Sequence, residues 1–311
     1  MLYGGGTRFN GPRRASIMRF ASKIPDNAKT SAAADYLAGR FTYHNKEKWT
    51  ELIREGRVFV NNVLCGEDGR VKAGDAIAYE PPEFEEPAAN LSYSIIYEDE
   101  WMLCVNKPGN LLVHRAGKSF RGNLVYLLRQ TNTPPYPNCH PVHRLDRDTS
   151  GTVLFAKNAE QGAVLGNLFR DNLVTKRYAA IVRGYPDIET PFGIDKPIAP
   201  DPNAKPGDSP CKFMTDENGK PACTVIEEAK RCGNGYSLLT ARPLTGRTHQ
   251  IRVHLASIGL PIAGDRTYGG GGGIPRQALH CGSLSFIHPY ADTECTITAP
   301  LPEDMMSIIS S

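Results

Sequence analysis

Short strands dominate the pattern of apolar and polar residues, and amphipathic helices separate them. Residues 153–156 form an uninterrupted apolar run, which is typical of a buried strand. Strands are also predicted over residues 95–105, broken by an acidic turn, and over residues 176–182, 236–241, 279–281 and 295–299. One helix is predicted over residues 160–172, with Val164, Leu165, Leu168 and Phe169 on its buried side. A second helix carries Ile251, Leu255 and Ile258 at helical spacing.

The N-terminal part of the chain predicts a separate small module. Residues 32–41 and 47–56 have helical patterns, and residues 57–64 turn strand-like. Residues 81–91 are rich in Pro and Glu and suit an extended linker. The sequence therefore predicts a module over residues 26–80, this linker, and a larger domain over residues 92–311.

Residues 1–25 carry Arg and Lys but no acidic residue, and they include three consecutive glycines. This composition predicts a disordered basic arm. An arm that contacts RNA, an added tag and a transit-like sequence remain alternatives.

Composition narrows the class of protein. The 311 residues have room for about two domains. The net charge of +3 permits a nucleic-acid partner without requiring one. Because no apolar run approaches the roughly 18 residues of a membrane span, no membrane partner is expected. The eight cysteines form no C-x-x-C pair, which favours reduced thiols and a cytoplasmic protein.

The strongest candidate for a catalytic segment is HRLDRDTSG, residues 143–151, immediately before the predicted buried strand. Asp146 lies between Arg144 and Arg147, and nearby cations favour an ionised carboxylate, which acts as a nucleophile or base. Loops at the edge of a sheet often hold active-site residues. The alternative is a charged surface turn, because Asp-x-Thr-Ser-Gly is also ordinary turn sequence.

Two other motifs raise cofactor hypotheses. His140, His143 and Asp146 have a spacing that metal ligands use, but Pro141 interrupts it and no further ligand cluster is nearby. The glycine run at residues 269–273 lacks the G-K-[ST] ending of a nucleotide-binding loop. We therefore expect no metal and no cofactor.

HRLDRDTSG resembles the signature of the RluA-type RNA pseudouridine synthases. Three further segments resemble that family in the same order: YEDEWMLCVNKPGNLLVH, KRYAAIV and RPLTGRTHQIRVHLASIGLPIAGDRTYGG. The segment ELIREGRVFVNNVLCGEDGRVKAGDAIAYEPP is similar to a small RNA-binding module found in a ribosomal small-subunit protein and in tyrosyl-tRNA synthetases. Residues 34–37, Ala-Asp-Tyr-Leu, depart from the Arg-Leu-Asp that this module favours.

The resemblance implies a catalytic role for three residues. Asp146 occupies the position of the catalytic aspartate, and Arg252 occupies that of the arginine paired with it. Tyr178 takes the position of the tyrosine that stacks on the target uracil, although on its own it would be read as a core aromatic. Arg144 corresponds to the arginine that helps to fill the space left by the flipped base.

Further RNA contacts are predicted on the same basis. Lys107 either approaches a phosphate or supports its loop. The remaining candidates are Arg147, Arg247, His249, Gln250 and, in the N-terminal module, Arg54. A solvated face is the alternative reading for Arg54 and for residues 247–250.

The implied fold is α+β. The catalytic domain is expected to have a mixed, largely antiparallel sheet with flanking helices and a central RNA-binding cleft, beside a small α+β module. The implied reaction isomerises uridine to pseudouridine in ribosomal RNA, or alternatively in tRNA, without a cofactor. We expect a monomer.

Two rival functions stay open. A catalytically silent RNA-binding protein would have no need of Asp146, Tyr178 and Arg252 together. A carboxylate-dependent glycoside hydrolase would need a second carboxylate, for which Asp148 is the nearby candidate.

Overall fold

The computed structural model describes residues 19–41, 44–82, 85–187, 189–204 and 212–309. These residues divide into two compact units, one ending at Glu85 and the other beginning at Glu86. No helix in these ranges is long and apolar enough to cross a membrane.

The N-terminal unit packs two helices against short strands. Its strands are β1 Phe20–Lys23, β2 Ser31–Ala32, β3 Val58–Val60, β4 Val63–Leu64, β5 Arg70–Val71 and β6 Ala76–Tyr79, and its helices are α1 Ala33–Arg40 and α2 Lys46–Arg54. Four strands form a sheet in the order β1-β6-β3-β4. Trp49, Leu52 and Ile53 are buried, because their helical spacing places them on one side of α2.

The structure corrects part of the predicted basic arm. Residues 1–18 lie outside the described residues. Residues 20–23, predicted to be disordered, instead form β1, which pairs antiparallel with β6 from Phe20↔Tyr79 to Lys23↔Ala76. The partner strand lies far along the chain, so no local pattern reveals this pairing.

The larger unit is built on a ten-stranded sheet. Its strands are β7 Ser94–Glu98, β8 Met102–Lys107, β9 His140–Pro141, β10 Ser150–Ala156, β11 Thr175–Arg183, β12 Phe192–Asp195, β15 Cys223–Arg231, β16 Tyr236–Pro243, β17 Leu279–Ile287 and β18 Glu294–Thr298. A separate hairpin pairs β13 Ile198–Pro200 with β14 Phe213–Thr215. The helices are α3 Leu124–Tyr126, which continues into a π-helical turn Leu127–Thr131, then α4 Ala159–Arg170, α5 Gln250–Ser257 and α6 Glu303–Ile309. Gly233–Gly235 is a short 3-10 turn.

The main path of the sheet runs β12-β15-β16-β11-β17-β10-β8-β7, with β18 beside β17 and β9 beside β10. Among the described strands, the pairing of β10 with β17 is parallel, whereas the other named pairings are antiparallel. This confirms the predicted mixed, largely antiparallel sheet with flanking helices.

Two apolar clusters form the core of the larger unit. One contains β8 and the fully buried strand β10, and the other contains residues of β11, β16 and α5. Tyr178 packs against both clusters. The apolar stripe of α4 is narrower than predicted: Leu165 is buried, whereas Val164 is exposed.

Candidate active site

The loop that carries Asp146, residues 143–149, is fixed by the start of β10. Ser150 and Gly151 pair in parallel with His280 and Cys281 of β17. Gly151 has a φ of +112°, and a Cβ atom at this position would lie 2.2 Å from the carbonyl oxygen of Cys281. Only glycine fits such a conformation at this close approach. The last residue of HRLDRDTSG therefore lets β10 and β17 meet directly behind the loop.

Arg252 holds one oxygen of Asp146. Its Nη1 donates to Asp146 Oδ2 over 3.1 Å, although the two residues are 106 positions apart in the chain. The Asp146 side chain is 23% exposed, whereas that of Arg252 is 4% exposed. Asp146 Oδ1 makes no hydrogen bond within the described part of the chain. One oxygen of the carboxylate is thus fixed and the other is available.

A second carboxylate, which the sequence did not single out, orients Arg252 from behind. Arg252 donates from Nε to Asp265 Oδ2 over 2.6 Å and from Nη2 to Asp265 Oδ1 over 3.0 Å. Asp265 is almost completely buried, and Oδ1 also accepts the backbone N–H groups of Thr267 and Tyr268. Burial opposes the charge of Arg252, but the bonds to Asp265 and the nearby Asp146 raise its pKa above the usual value. Bidentate pairing fixes the guanidinium plane.

The signal for Asp265 was present in the third matching segment, which ends in Gly-Asp-Arg-Thr-Tyr-Gly-Gly. Its pairing is not local, however, because Arg252 lies on α5 and Asp265 follows in an irregular loop. The ring of Tyr268 from the same loop lies 4.9 Å from the guanidinium carbon of Arg252. This loop therefore supports Arg252 by charge and by a cation–π contact.

His249 approaches the same oxygen of Asp146 as Arg252 does. Its Nε2 is 3.7 Å from Asp146 Oδ2, and its Nδ1 is 2.8 Å from the hydroxyl of Tyr268. The residue has a φ of +56° and immediately precedes α5. Burial lowers its pKa, and the charge of Asp146 opposes this effect. His249, predicted to contact RNA, is thus buried within the carboxylate cluster.

A cavity of about 320 Å³ opens beside these groups. Its lining includes Asp146, Arg252 and Tyr178, together with the cations Arg144, Lys176 and Arg247. Tyr178 lies at a β-bulge, where the register of β11 against β17 shifts after Arg177, and such bulges redirect a side chain. Burial raises the pKa of Tyr178 well above its usual value, so its hydroxyl stays protonated.

The three cations are differently placed. Arg144 is exposed and makes no hydrogen bond or ion pair to a described residue. Arg247 is exposed, and its guanidinium bonds the described residues through Nε alone, which donates to the carbonyl oxygen of Pro221 over 2.9 Å. Burial lowers the pKa of Lys176, which the sequence did not assign to the site. The arrangement supplies positive charge around an open carboxylate.

Lys107 does not face this cavity. Its side chain is completely buried, and Nζ donates to the carbonyl oxygens of Pro108, Leu111 and Arg147. An ammonium group has three donors, so none remains for a phosphate. Of the two roles predicted for Lys107, the structure therefore favours loop support over RNA contact. Burial lowers its pKa to about 7.

Gln250 also has a structural position. Its Oε1 accepts from Thr245 Oγ1 and from the N–H of Arg247, and its Nε2 donates to Cys223 O and Thr224 Oγ1. These four bonds use the whole amide, which leaves no group to contact RNA. Gln250 instead holds the loop before α5 on β15.

The remaining two predicted contacts lie away from the cavity lining. Arg147 donates to Asn110 Oδ1 over 3.0 Å and to the carbonyl oxygen of Ala88 over 3.2 Å. In the N-terminal unit, Arg54 makes an exposed bidentate pair with Glu67 at 2.9 and 3.1 Å.

His143, one of the three residues with metal-ligand spacing, is held within the fold by its own contacts. Its Nε2 accepts the backbone N–H of Leu154 over 3.0 Å, and its ring stacks on Phe169 with centroids 4.5 Å apart. Burial lowers the pKa of His143 to about 3. Within the described ranges, no group of three His, Cys, Asp or Glu side chains is arranged to hold a metal ion.

Known proteins match both the sequence and the fold. Residues 101–257 match the family described as RNA pseudouridylate synthase. An uncharacterized RNA pseudouridine synthase of Bacillus subtilis, YlyB, is 33% identical over 92% of this chain and 95% of its own length. Ribosomal large subunit pseudouridine synthase D of Xylella fastidiosa is 31% identical over 93% and 91%, respectively. The solved structure of human RNA pseudouridylate synthase domain containing 1 is 28% identical, with a TM-score of 0.53, over 71% of this chain and 89% of that one.

Proposed function

The chain belongs to the RNA pseudouridylate synthase family, and we propose that it converts uridine to pseudouridine in large-subunit ribosomal RNA with Asp146 as its reacting carboxylate. The role of Asp146 is supported by the different surroundings of its two carboxylate oxygens. Arg252 binds Oδ2, whereas Oδ1 bonds none of the described residues and lies beside a cavity lined by cations and Tyr178. A carboxylate held in this way is preorganised for attack on a bound nucleotide.

The reaction breaks the bond between the uracil nitrogen and the ribose, turns the ring, and joins a ring carbon to the same sugar carbon. No water or electron is consumed, so one positioned carboxylate suffices. Asp146 either attacks the anomeric carbon or removes a proton from the adjacent sugar carbon. Both routes use Asp146 Oδ1, while Arg252 stabilises Oδ2.

Tyr178 and Arg144 complete the proposed site. A target base must leave its stack, at a cost of a few kcal/mol. Stacking on an aromatic ring returns about 1–3 kcal/mol without sequence-specific bonds. Tyr178 offers such a ring in the cavity, and exposed Arg144 occupies its rim, where it can fill the space that the base leaves.

The substrate follows from relatives rather than from the site. Relatives in Xylella fastidiosa and Escherichia coli bear the name ribosomal large subunit pseudouridine synthase D, and the latter is 30% identical over 95% of this chain. Transfer RNA is the alternative substrate. We further propose that the enzyme acts as a cytoplasmic monomer, where ribosomal RNA is accessible to it.

The role of Asp146 is tested by Asp146→Asn with Asp148→Asn as the matched control. Large-subunit ribosomal RNA transcribed with uridine tritiated at C5 releases tritium when pseudouridine forms. We expect Asp146→Asn to abolish release while RNA binding persists, and Asp148→Asn to remain active. Near-normal release by Asp146→Asn would refute its role, and appearance of free uracil would favour a glycoside hydrolase.

A further inference from the structure

Two basic side chains approach Asp146 Oδ2, and the proposed reaction assigns a role to one of them, Arg252. The second is His249, whose Nε2 lies 3.7 Å from the same oxygen. This separation exceeds hydrogen-bond distance, so the imidazole is close enough to act electrostatically and to bond after a small movement. Because both groups approach Oδ2, neither occupies Oδ1.

The hydrogen bonds around Tyr268 determine which way the imidazole points. The Tyr268 hydroxyl oxygen accepts the backbone N–H of Phe213 over 3.0 Å. Its own proton is then free to be donated to His249 Nδ1, 2.8 Å away. Burial raises the pKa of Tyr268 to about 12, so the hydroxyl keeps that proton.

The charge of Asp146 favours the same tautomer from the other side. A neutral imidazole has one N–H and one lone pair. A lone pair at Nε2 would face an ionised carboxylate oxygen and be repelled, whereas an N–H there is attracted. Nδ1 is therefore the acceptor, and Nε2 carries the proton.

We propose that His249 is a positioning residue, whose Nε2–H, set by Tyr268, steadies Asp146 Oδ2 so that Oδ1 points at the bound nucleotide. Phe213 N–H, Tyr268 O–H and His249 Nε2–H form a directed chain that ends at the carboxylate. This inference rests on the proposed role of Asp146. It gives His249 a task different from the RNA contact that the sequence predicted.

Backbone geometry provides a matched pair of variants. His249 has a left-handed φ of +56°, a conformation that Asn tolerates better than Gln. In contrast, the longer side chain of Gln can place an N–H near the position of Nε2, whereas Asn reaches only near Nδ1. A purely structural role predicts that His249→Asn is the better replacement. A positioning role predicts that His249→Gln is.

Two readouts on the full chain test the inference. With tritiated large-subunit ribosomal RNA, we expect His249→Asn to lower kcat by up to about 100-fold, the loss that a displaced reacting group produces, with little change in KM. We expect His249→Gln to recover a large part of that kcat. Nitrogen-15 NMR of histidine-labelled protein reports the tautomer, and the signal that disappears in His249→Asn belongs to His249. We expect that signal to show the proton on Nε2. Tyr268→Phe should reduce the population of this tautomer.

The outcomes separate this inference from the proposed function. Equal kcat for His249→Asn and wild type, or a wild-type tautomer with the proton on Nδ1, would overturn the role of His249 while leaving the synthase activity intact. If the wild-type protein forms no pseudouridine, the proposed ribosomal RNA substrate fails. The NMR measurement still decides the tautomer in that case.

Discussion

At the residue scale, the site depends on how one guanidinium is shared. Arg252 bonds Asp265 through two nitrogens and Asp146 through the third. The buried Asp265 therefore balances a charge that the partly exposed Asp146 alone would leave incompletely paired. The arginine is held in place by a group that never meets the substrate.

This sharing predicts the effect of Arg252→Met. Removing the arginine leaves Asp265 buried and unpaired, which costs about 3–5 kcal/mol of unfolding free energy. Urea denaturation should show that loss, together with loss of turnover. In the double variant Arg252→Met/Asp265→Asn, the stranded charge is gone and stability should partly return. If the unfolding free energy of Arg252→Met lies within about 1 kcal/mol of the wild-type value, the buried pair contributes less than this argument requires.

Lys107 predicts a specific pH dependence. Burial lowers its pKa from 10.5 to about 7. Between those two pH values the unfolded chain binds more protons at this residue than the folded protein does, so its contribution to stability rises with pH, by up to about 1.4 kcal/mol per pH unit. Urea denaturation of wild type and Lys107→Met at several pH values isolates the contribution of Lys107, because the contributions of other groups cancel in the difference between the two unfolding free energies. A difference that stays constant from pH 7 to pH 10 would contradict it.

At the scale of elements, the site depends on where β10 and β17 meet. The loop of residues 143–149 has no regular structure, yet its C-terminal end is fixed by the parallel pairing at Ser150 and Gly151. Gln277 donates to Thr149 over 3.1 Å, and Ser150 hydrogen-bonds His280 over 2.9 Å. The carboxylate therefore projects from the rigid edge of a buried strand.

Gly151→Ala tests that dependence. The positive φ alone costs a side chain about 1–3 kcal/mol, and the new Cβ atom would also meet Cys281 O at 2.2 Å. We expect lower stability in thermal denaturation and reduced turnover. Gly166→Ala in α4 is the control, because its Cβ atom meets nothing within 4 Å and should add about 0.5–1 kcal/mol of helix stability. Equal stability and turnover of the two variants would show that the close approach of β10 and β17 does not position Asp146.

Regular strands and helices could be predicted from the sequence, whereas contacts between distant segments could not. The apolar pattern located β10, which is buried along its whole length, β16, whose buried positions alternate, and α5, whose Ile251 and Leu255 lie in the core. It did not identify Asp265, nor the burial of Lys107 and Gln250, because their partners come from distant strands and irregular loops. The family resemblance suggested RNA contact for Gln250 and left Lys107 between a phosphate contact and loop support, whereas complete internal hydrogen bonding gives both residues structural positions.

At the scale of the whole molecule, modest net charge coexists with a local cluster of cations. The chain carries only +3, yet Arg144, Lys176 and Arg247 all line one cavity. Glu227, by contrast, pairs with Arg177 outside the cavity lining. Affinity for RNA should accordingly depend on these few cationic side chains of the cavity and on salt.

Salt titration of RNA binding tests this distribution. Arg144→Gln should weaken binding of large-subunit ribosomal RNA and reduce the slope of log affinity against log salt by about one. Arg231→Gln is the control, since it removes the same charge at the far end of β15, roughly 25 Å from Cys223 along an extended strand. Equal slopes for both variants would show that global charge, rather than the cavity, governs binding.

The proposed activity of Asp146 on ribosomal RNA is tested by mapping pseudouridine in the large-subunit ribosomal RNA of cells that lack this protein. The cells are rescued with the intact chain or with Asp146→Asn. We expect at least one site to be absent from the deletion cells, and only the intact chain to restore it. Restoration by Asp146→Asn would contradict the role of the carboxylate, and persistence of every site would contradict the proposed substrate.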